Sequence, residues 1–355
     1  MTQAKLVKDY LGKRGKKGDQ GLELEVEASN PLPEIDTEHW VTKLEPSLRG
    51  GERGMAKEYI SKGVLQAYQV PRAIAFLSKT LEDPKLKVLK DSKRTSFHVH
   101  NNVLYLEPKQ LWTSVCAYWL CENILFSRLP GHRQGNHFCL RLSDAEGTLR
   151  NCVKDLKEEA PFINFSDNAI RYSGQNLAAI TKFGSIEYRG MEGTTDGERL
   201  SEWSSELLSL TSKVPTLWDT PDQMMDEYYS HGAAHFLSRI FSSKFLEPIF
   251  KVDYRAMMEE NEGALLELVY FHGWKAWQTR VEKNLLERKE ERPNSQWSTS
   301  DTITATIYDE GPANDIQPSA YASLGSPVQP RPSPQRRARV TTNPERGVEV
   351  RWIAG

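Results

Sequence analysis

The stretch GLELEVEAS, residues 21–29, sets Leu22, Leu24 and Val26 against Glu23, Glu25 and Glu27. Strict alternation has the period of a β-strand, whose successive side chains point to opposite faces. The apolar residues are predicted to enter a core and the three carboxylates to share the other face. Taken alone, such a stripe is the solvated side of an antiparallel sheet. Carboxylates at i and i+2 stand about 7 Å apart and repel by roughly 2 kcal/mol at an effective dielectric of about 20. A cation on that face would turn the repulsion into attraction.

The same construction occurs twice more. In TSFHVHNNV, residues 95–103, Phe97 and Val99 face the core and leave His98, His100 and Asn102 on the other side. In KFGSIEYRG, residues 182–190, Ile186 and Tyr188 oppose Ser185, Glu187 and Arg189. Singly, a histidine is a structural hydrogen bonder and a Glu–Arg pair is an ordinary cross-strand ion pair. Three such strands predict a sheet whose open face is a polar site. Hard divalent ions prefer carboxylate oxygens, and an imidazole among them is more typical of Mn²⁺ or another transition metal than of Mg²⁺. Arginine adds the forked donors that grip phosphate oxygens. Carboxylate, imidazole and guanidinium together point to metal and phosphate chemistry.

The rest of the chain sets the frame. At 355 residues and 38% hydrophobic content it can hold one large core or two modest ones. A net charge of −2 provides no global field to recruit nucleic acid or an anionic membrane, and neither partner is expected. The longest apolar run, LWTSVCAYWLCENILF from Leu111, is broken by polar residues and falls short of a spanning helix. The N-terminus lacks an apolar signal core, so a cytoplasmic protein is expected. Cys116, Cys121, Cys139 and Cys152 have no C-x-x-C spacing and read as reduced, mostly buried thiols.

Residues 1–19 read as a flexible basic lead-in. Residues 20–215 read as an α+β catalytic core, with helical periodicity in PRAIAFLSKTLED, KQLWTSVCAYWLCENILFSRL and GERLSEWSSELLSLTSKV. Residues 216–290 read as a helical extension. From 291 to 355 the Pro- and Ser-rich composition predicts a mostly disordered tail, with a possible terminal strand in GVEVRWIAG. His231 and His235, four apart, lack the glutamate of H-E-x-x-H and read as ordinary helix packing. The basic QRRARV, residues 335–340, reads as a solvated linker.

The order G-x-E-x-E (Gly21 to Glu25), LEPSLRG with KEYI, SFHVHNNV, then FGSIEYRGMEGTTD resembles the phage-type amidoligases. These are carboxylate–amine ligases related to glutamine synthetase and γ-glutamylcysteine ligase. The resemblance covers about residues 20–215. It implies a glutamine-synthetase-like antiparallel sheet, a half-barrel, with helices packed on one face. It also implies metal ligation by Glu23, Glu25, Glu187 and His100, with Glu27 a less certain third carboxylate on the first strand. Contacts to nucleotide phosphate are implied for His100, Asn102, Arg171 and Arg189, and His98 is a second contact or a scaffold residue. Glu58 takes a metal or substrate-amine role. Arg49 survives in a segment where Glu45 and Pro46 replace the family's Asp and Gly, a change that alters local backbone freedom. Arg133 and Asn136, in GHRQGNHFC, match a family segment without an assigned role.

The implied cofactors are ATP and Mg²⁺ or Mn²⁺. The implied substrates are a small-molecule or peptide carboxylate and an amine, and a glutamine amidotransferase or peptidase is an implied partner. The implied setting is a bacteriophage protein acting in the host cytoplasm. Such enzymes transfer the γ-phosphoryl of ATP to a carboxylate, and an amine then displaces phosphate from the acyl phosphate. Two other readings use the same residues: a metal-dependent phosphohydrolase, which needs no amine pocket, and a non-catalytic phage assembly or binding protein.

Overall fold

The structure, a computed structural model, describes residues 5–43, 48, 51–90, 92–134, 136, 139–141, 168–271, 303–305, 336–343 and 347–354. The chain divides into two compact units, residues 1–283 and 284–355.

The first unit is α+β. Its sheet contains β1 (Asp19–Glu27), β2 (Trp40–Lys43), β3 (Ala56–Ser61), β4 (Leu65–Gln66), β5 (Ser96–Asn102), β6 (Gln175–Asn176) and β7 (Ser185–Glu192). The order is β2-β3-β1-β5-β7-β6, with β4 beside the start of β1, and every pairing is antiparallel. The three strands predicted from alternation are therefore direct neighbours. On one face Leu22, Leu24, Val26, Phe97, Val99, Ile186, Tyr188 and Met191 are all buried.

The helices are α1 (Val7–Leu11), α2 (Val70–Leu81), α3 (Pro108–Ser127), α4 (Asn168–Arg171), α5 (Ala178–Phe183), α6 (Gly197–Ser212), α7 (Val214–Leu217), α8 (Pro221–Ile240), α9 (Ser243–Ile249) and α10 (Tyr254–Phe271). Helix α6 packs on β5 and against α2, closing the apolar side of the sheet. Helix α3 is buried continuously from Leu111 to Glu122, because its apolar residues encircle it instead of forming one stripe. It meets α6, α7, α8 and α10, and Tyr118 reaches the sheet, its ring 5.3 Å from that of Tyr188. The hydroxyls of Thr113 and Ser114 donate back to the carbonyls of Lys109 and Gln110, which lets these polar residues sit inside.

Two expectations change. The lead-in is docked where it is described: Val7 is fully buried, its N–H donates to the Leu106 carbonyl at 2.8 Å, and that of Lys8 donates to Leu104. One apolar anchor and two backbone bonds hold a segment whose average composition is basic. In the second unit, strands at Ile303–Ala305, Arg336–Asn343 and Gly347–Ala354 pair antiparallel with one another. Gly347–Ala354 coincides with the predicted terminal strand, whereas Arg336–Asn343 forms a strand where a linker was expected. The β-branched run Val340-Thr341-Thr342 supplies the strand preference that the proline-rich neighbourhood obscured. The intervening residues of the tail lie outside the described ones.

Strand β7 is irregular in a way that shapes the polar face. Asn102, Asn101, His100 and Val99 pair with Ser185, Ile186, Glu187 and Tyr188, but Phe97 pairs with Met191 and Ser96 with Glu192. One extra residue of β7 is accommodated at Arg189 and Gly190, a β-bulge. Directly paired residues point to the same face, so Glu187 and Glu192 both stand on the polar side despite their odd separation. Two glycines frame the strand. Gly184 enters it at φ +78°, and Gly193 leaves it so close to β1 that a Cβ there would lie 2.1 Å from the Glu25 carbonyl oxygen.

Candidate active site on the sheet

The polar face is built from β3, β1, β5 and β7 in that order. Strand β1 contributes Glu23, Glu25 and Glu27; register places Glu58 of β3 opposite Glu25, and His98 of β5 opposite Glu23. His100 lies opposite Gly21 on one side and Glu187 on the other. At the centre, Glu23 Oε2 is 3.1 Å from His98 Nδ1, and Glu23 Oε1 is 3.4 Å from His100 Nε2. Glu187 Oε1 is 3.4 Å from His98 Nδ1 and accepts from Arg189 at 2.5 Å. Its other oxygen accepts from the Asn176 amide at 2.6 Å.

One ligand atom from each of Glu23, His100 and Glu187 lies within 4.8 Å of the others. Buried His100 Nε2 faces the Glu23 carboxylate at 3.4 Å, and buried Arg189 Nε has no hydrogen-bond partner among the described residues. The His100 ring is oriented by the Ser185 hydroxyl at 3.2 Å from Nδ1 and by the edge of Phe183 at 5.6 Å between centroids.

The carboxylates further along β1 are held differently. Ser96 Oγ donates to Glu25 at 2.5 Å and contacts His98 Nε2 at 2.7 Å; Ser92 Oγ donates to Glu27 at 2.7 Å. The side chain of Arg133, only 1% exposed, donates to the carbonyls of Gly190 (3.0 Å), Thr95 (3.2 Å) and Arg189 (2.8 Å), pinning the bulge. At the far end, Glu192 pairs with Arg199 at 2.8 Å, and both line a cleft of about 700 Å³ that also carries Lys87, Lys90 and His132. A larger cleft of about 1070 Å³, between α2 and α6, belongs to the helical layer and shares none of these strand residues.

The charges are coupled. Burial acts to raise the Glu23 carboxyl, but hydrogen bonds and charge from His100 and His98 outweigh it and hold the group far below the usual carboxylate range. Burial likewise opposes ionisation of Glu187, and Arg189, His98 and His100 reverse the balance downward. For His100, burial favours the neutral ring, yet Glu23 and Glu187 hold it above its ordinary value against the opposing charge of Arg189. Two ionised carboxylates facing imidazole is a donor set that a divalent cation takes over by displacing the imidazole proton.

Of the residues singled out from sequence, Glu23, His100, Glu187 and Arg189 converge, and Glu25 and Glu58 stand together on the same face. Asn102 shares that face, but its Oδ1 accepts from the Leu104 N–H at 3.0 Å and its amide is packed against Gly15, so it serves a turn. Arg171 ends α4 with an exposed side chain and has no hydrogen bond or ion pair among the described residues. Arg49, Glu45 and Pro46 lie outside the described residues.

Sequence reading left three contributors aside and singled out a fourth, Arg133, without a role. Ser96 was accessible from alternation, two residues before His98. Glu192 was hidden by the bulge and Asn176 by a strand of only two residues.

No protein-family model matches the chain, and no curated protein matches it significantly. Among the described residues no helix is long and apolar enough to cross a membrane.

Proposed function

We propose that this chain is an ATP- and divalent-metal-dependent carboxylate–amine ligase on a glutamine-synthetase-like sheet, of the kind formed by the phage-type amidoligases it resembles. The observation that carries the reading is the convergence of Glu23, His98, His100, Glu187 and Arg189 on one face of three adjacent strands. Mg²⁺ or Mn²⁺ fits this donor set. One imidazole nitrogen and two carboxylates, from His100, Glu23 and Glu187, present ligand atoms within 4.8 Å of one another. Glu23, Glu187 and His100 would hold the cation, which neutralises charge on phosphate oxygens when bound.

The chain's own residues supply the rest. Asn176 and Arg189 hold Glu187 from both sides, and the Nε of Arg189, which has no hydrogen-bond partner among the described residues, gives it a remaining donor for a phosphoryl oxygen. A substrate carboxylate oxygen attacks the γ-phosphorus of ATP, and the bond to the β,γ-bridging oxygen breaks with departure of ADP. An amine nitrogen then attacks the acyl carbon, phosphate leaves with the C–O bonding pair, and the nitrogen loses its proton. Glu25 and Glu58 present paired carboxylates suited to attracting the amine.

The test is ATP turnover by the full chain with Mg²⁺ or Mn²⁺ against panels of carboxylates and amines. ADP and phosphate are expected in equal amounts, only when both co-substrates are present. Glu23→Gln should lower that turnover by about a hundredfold or more, and Arg189→Lys should impair it, since an ammonium cannot reproduce the fork. Phosphate release from a monoester without amine would replace this reading with a hydrolase. Absence of both activities would replace it with a binding role.

A further inference from the structure

We infer that Glu227, His231 and His235 form a second divalent-metal site, of zinc type, on helix α8. In a straight helix, residues 227 and 235 are separated by eight steps of about 1.5 Å, roughly 12 Å along the axis, which disfavours three ligands converging on one ion. Helix α8 is not straight. Gly232 adopts φ 80° and ψ 170°, a conformation essentially reserved for glycine, and it joins two helical pieces across a kink.

The kink brings His235 Nε2 to 2.9 Å from Glu227 Oε1, while His231 Nδ1 lies 3.7 Å from Glu227 Oε2. The two imidazole centroids are 4.7 Å apart, and one ligand atom from each of the three residues falls within 4.8 Å of the others. Neighbouring ligands on a tetrahedral ion with bonds of about 2.0 Å are separated by about 3.3 Å, so the two N–O distances bracket the required edge.

These side chains do not fill the core. His231 and His235 are 53% and 42% exposed, which corrects the expectation of ordinary helix packing. Two imidazoles and one carboxylate form the borderline donor set that prefers Zn²⁺ and its transition-metal neighbours to Mg²⁺. Arg239 donates to Glu227 Oε1 at 3.1 Å and orients the carboxylate from outside. Three protein ligands leave a coordination position open. A cleft of about 390 Å³, lined by Leu217, Trp218, Gln223, Asp226, Glu227 and Ser230, reaches the same carboxylate.

The full chain is titrated with Co²⁺ as a visible-absorption probe and then with competing Zn²⁺. The wild type, His231→Gln/His235→Gln and Glu23→Gln/His100→Gln are compared, with circular dichroism as the control for folding. The site predicts a Co²⁺ band displaced by Zn²⁺ in the wild type and in the sheet variant, and lost together with one metal equivalent in the helix variant. Zn²⁺ should raise the Tm of the wild type more than that of the helix variant. An unchanged band and stoichiometry in the helix variant would overturn the assignment, as would a wild-type chain that binds no Co²⁺.

Discussion

Glu23, Glu25 and Glu27 lie along one side of one strand, and each is answered by a different neighbour: two imidazoles, the Ser96 hydroxyl and the Ser92 hydroxyl. Mutual repulsion is thereby divided into local, separately satisfied contacts. Arg133 works at the same scale through backbone instead of charge pairing. Its three donors all go to carbonyls around the bulge, so Arg133→Met leaves three buried acceptors without it, and a loss of about 3 kcal/mol is expected. Urea unfolding measures this, and an unshifted midpoint would contradict the assigned role. Glu206 gives a pH-dependent counterpart. Burial raises its carboxyl above the ordinary 4.5, opposed by hydrogen bonds from Ser242 and by Lys213 and aided by Glu202. A raised folded-state value means that its stabilising contribution is complete below 4.5 and is lost as pH rises through the folded-state value. The Tm of Glu206→Gln relative to wild type should therefore be higher at pH 8 than at pH 4, the change falling above 4.5 and levelling off once the folded-state value is passed; a difference constant with pH would refute this linkage.

Among the elements, β1, β5 and β7 were legible because their apolar and polar residues alternate. Strand β3 was not, and its residues show why. Ala56, Glu58 and Ile60 share the polar face, while Lys57, Tyr59 and Ser61 are buried on the other. Lys57 is accommodated there by pairing with Glu34, a contact between distant residues that no local pattern announces. The central helix α3 was read as a helix covering the sheet, but its apolar residues run all round it, and α8 and α10 close over the sides that the sheet layer leaves. Gly193 marks where strand spacing permits no side chain at all: a Cβ would also lie 2.8 Å from that of Thr95. Gly193→Ala is expected to destabilise the fold by about 2 kcal/mol or more by forcing the exit of β7 away from the Glu25 carbonyl and Thr95. A wild-type denaturation midpoint would show that the strands have room to part.

For the whole molecule, two compact units predict that a chain ending at Lys283 retains the sheet and its helical layer. Its Tm should fall within about 4 °C of the full chain's, the shift that roughly 1 kcal/mol produces at this size. A larger drop would show that the second unit stabilises the first. The α+β class and the central acidic, histidine and arginine strands could be read from sequence. The docked amino-terminal segment and the reach of the site to Glu192 could not, since each depends on long-range pairing. The extra residue in β7 makes that strand a text read in two frames: odd-numbered positions address the face before it, and even-numbered ones after it. Substitutions on either side of Arg189 and Gly190 can thus retune one end of the surface while the other keeps its residues, so a single ribbon offers two independently adjustable halves.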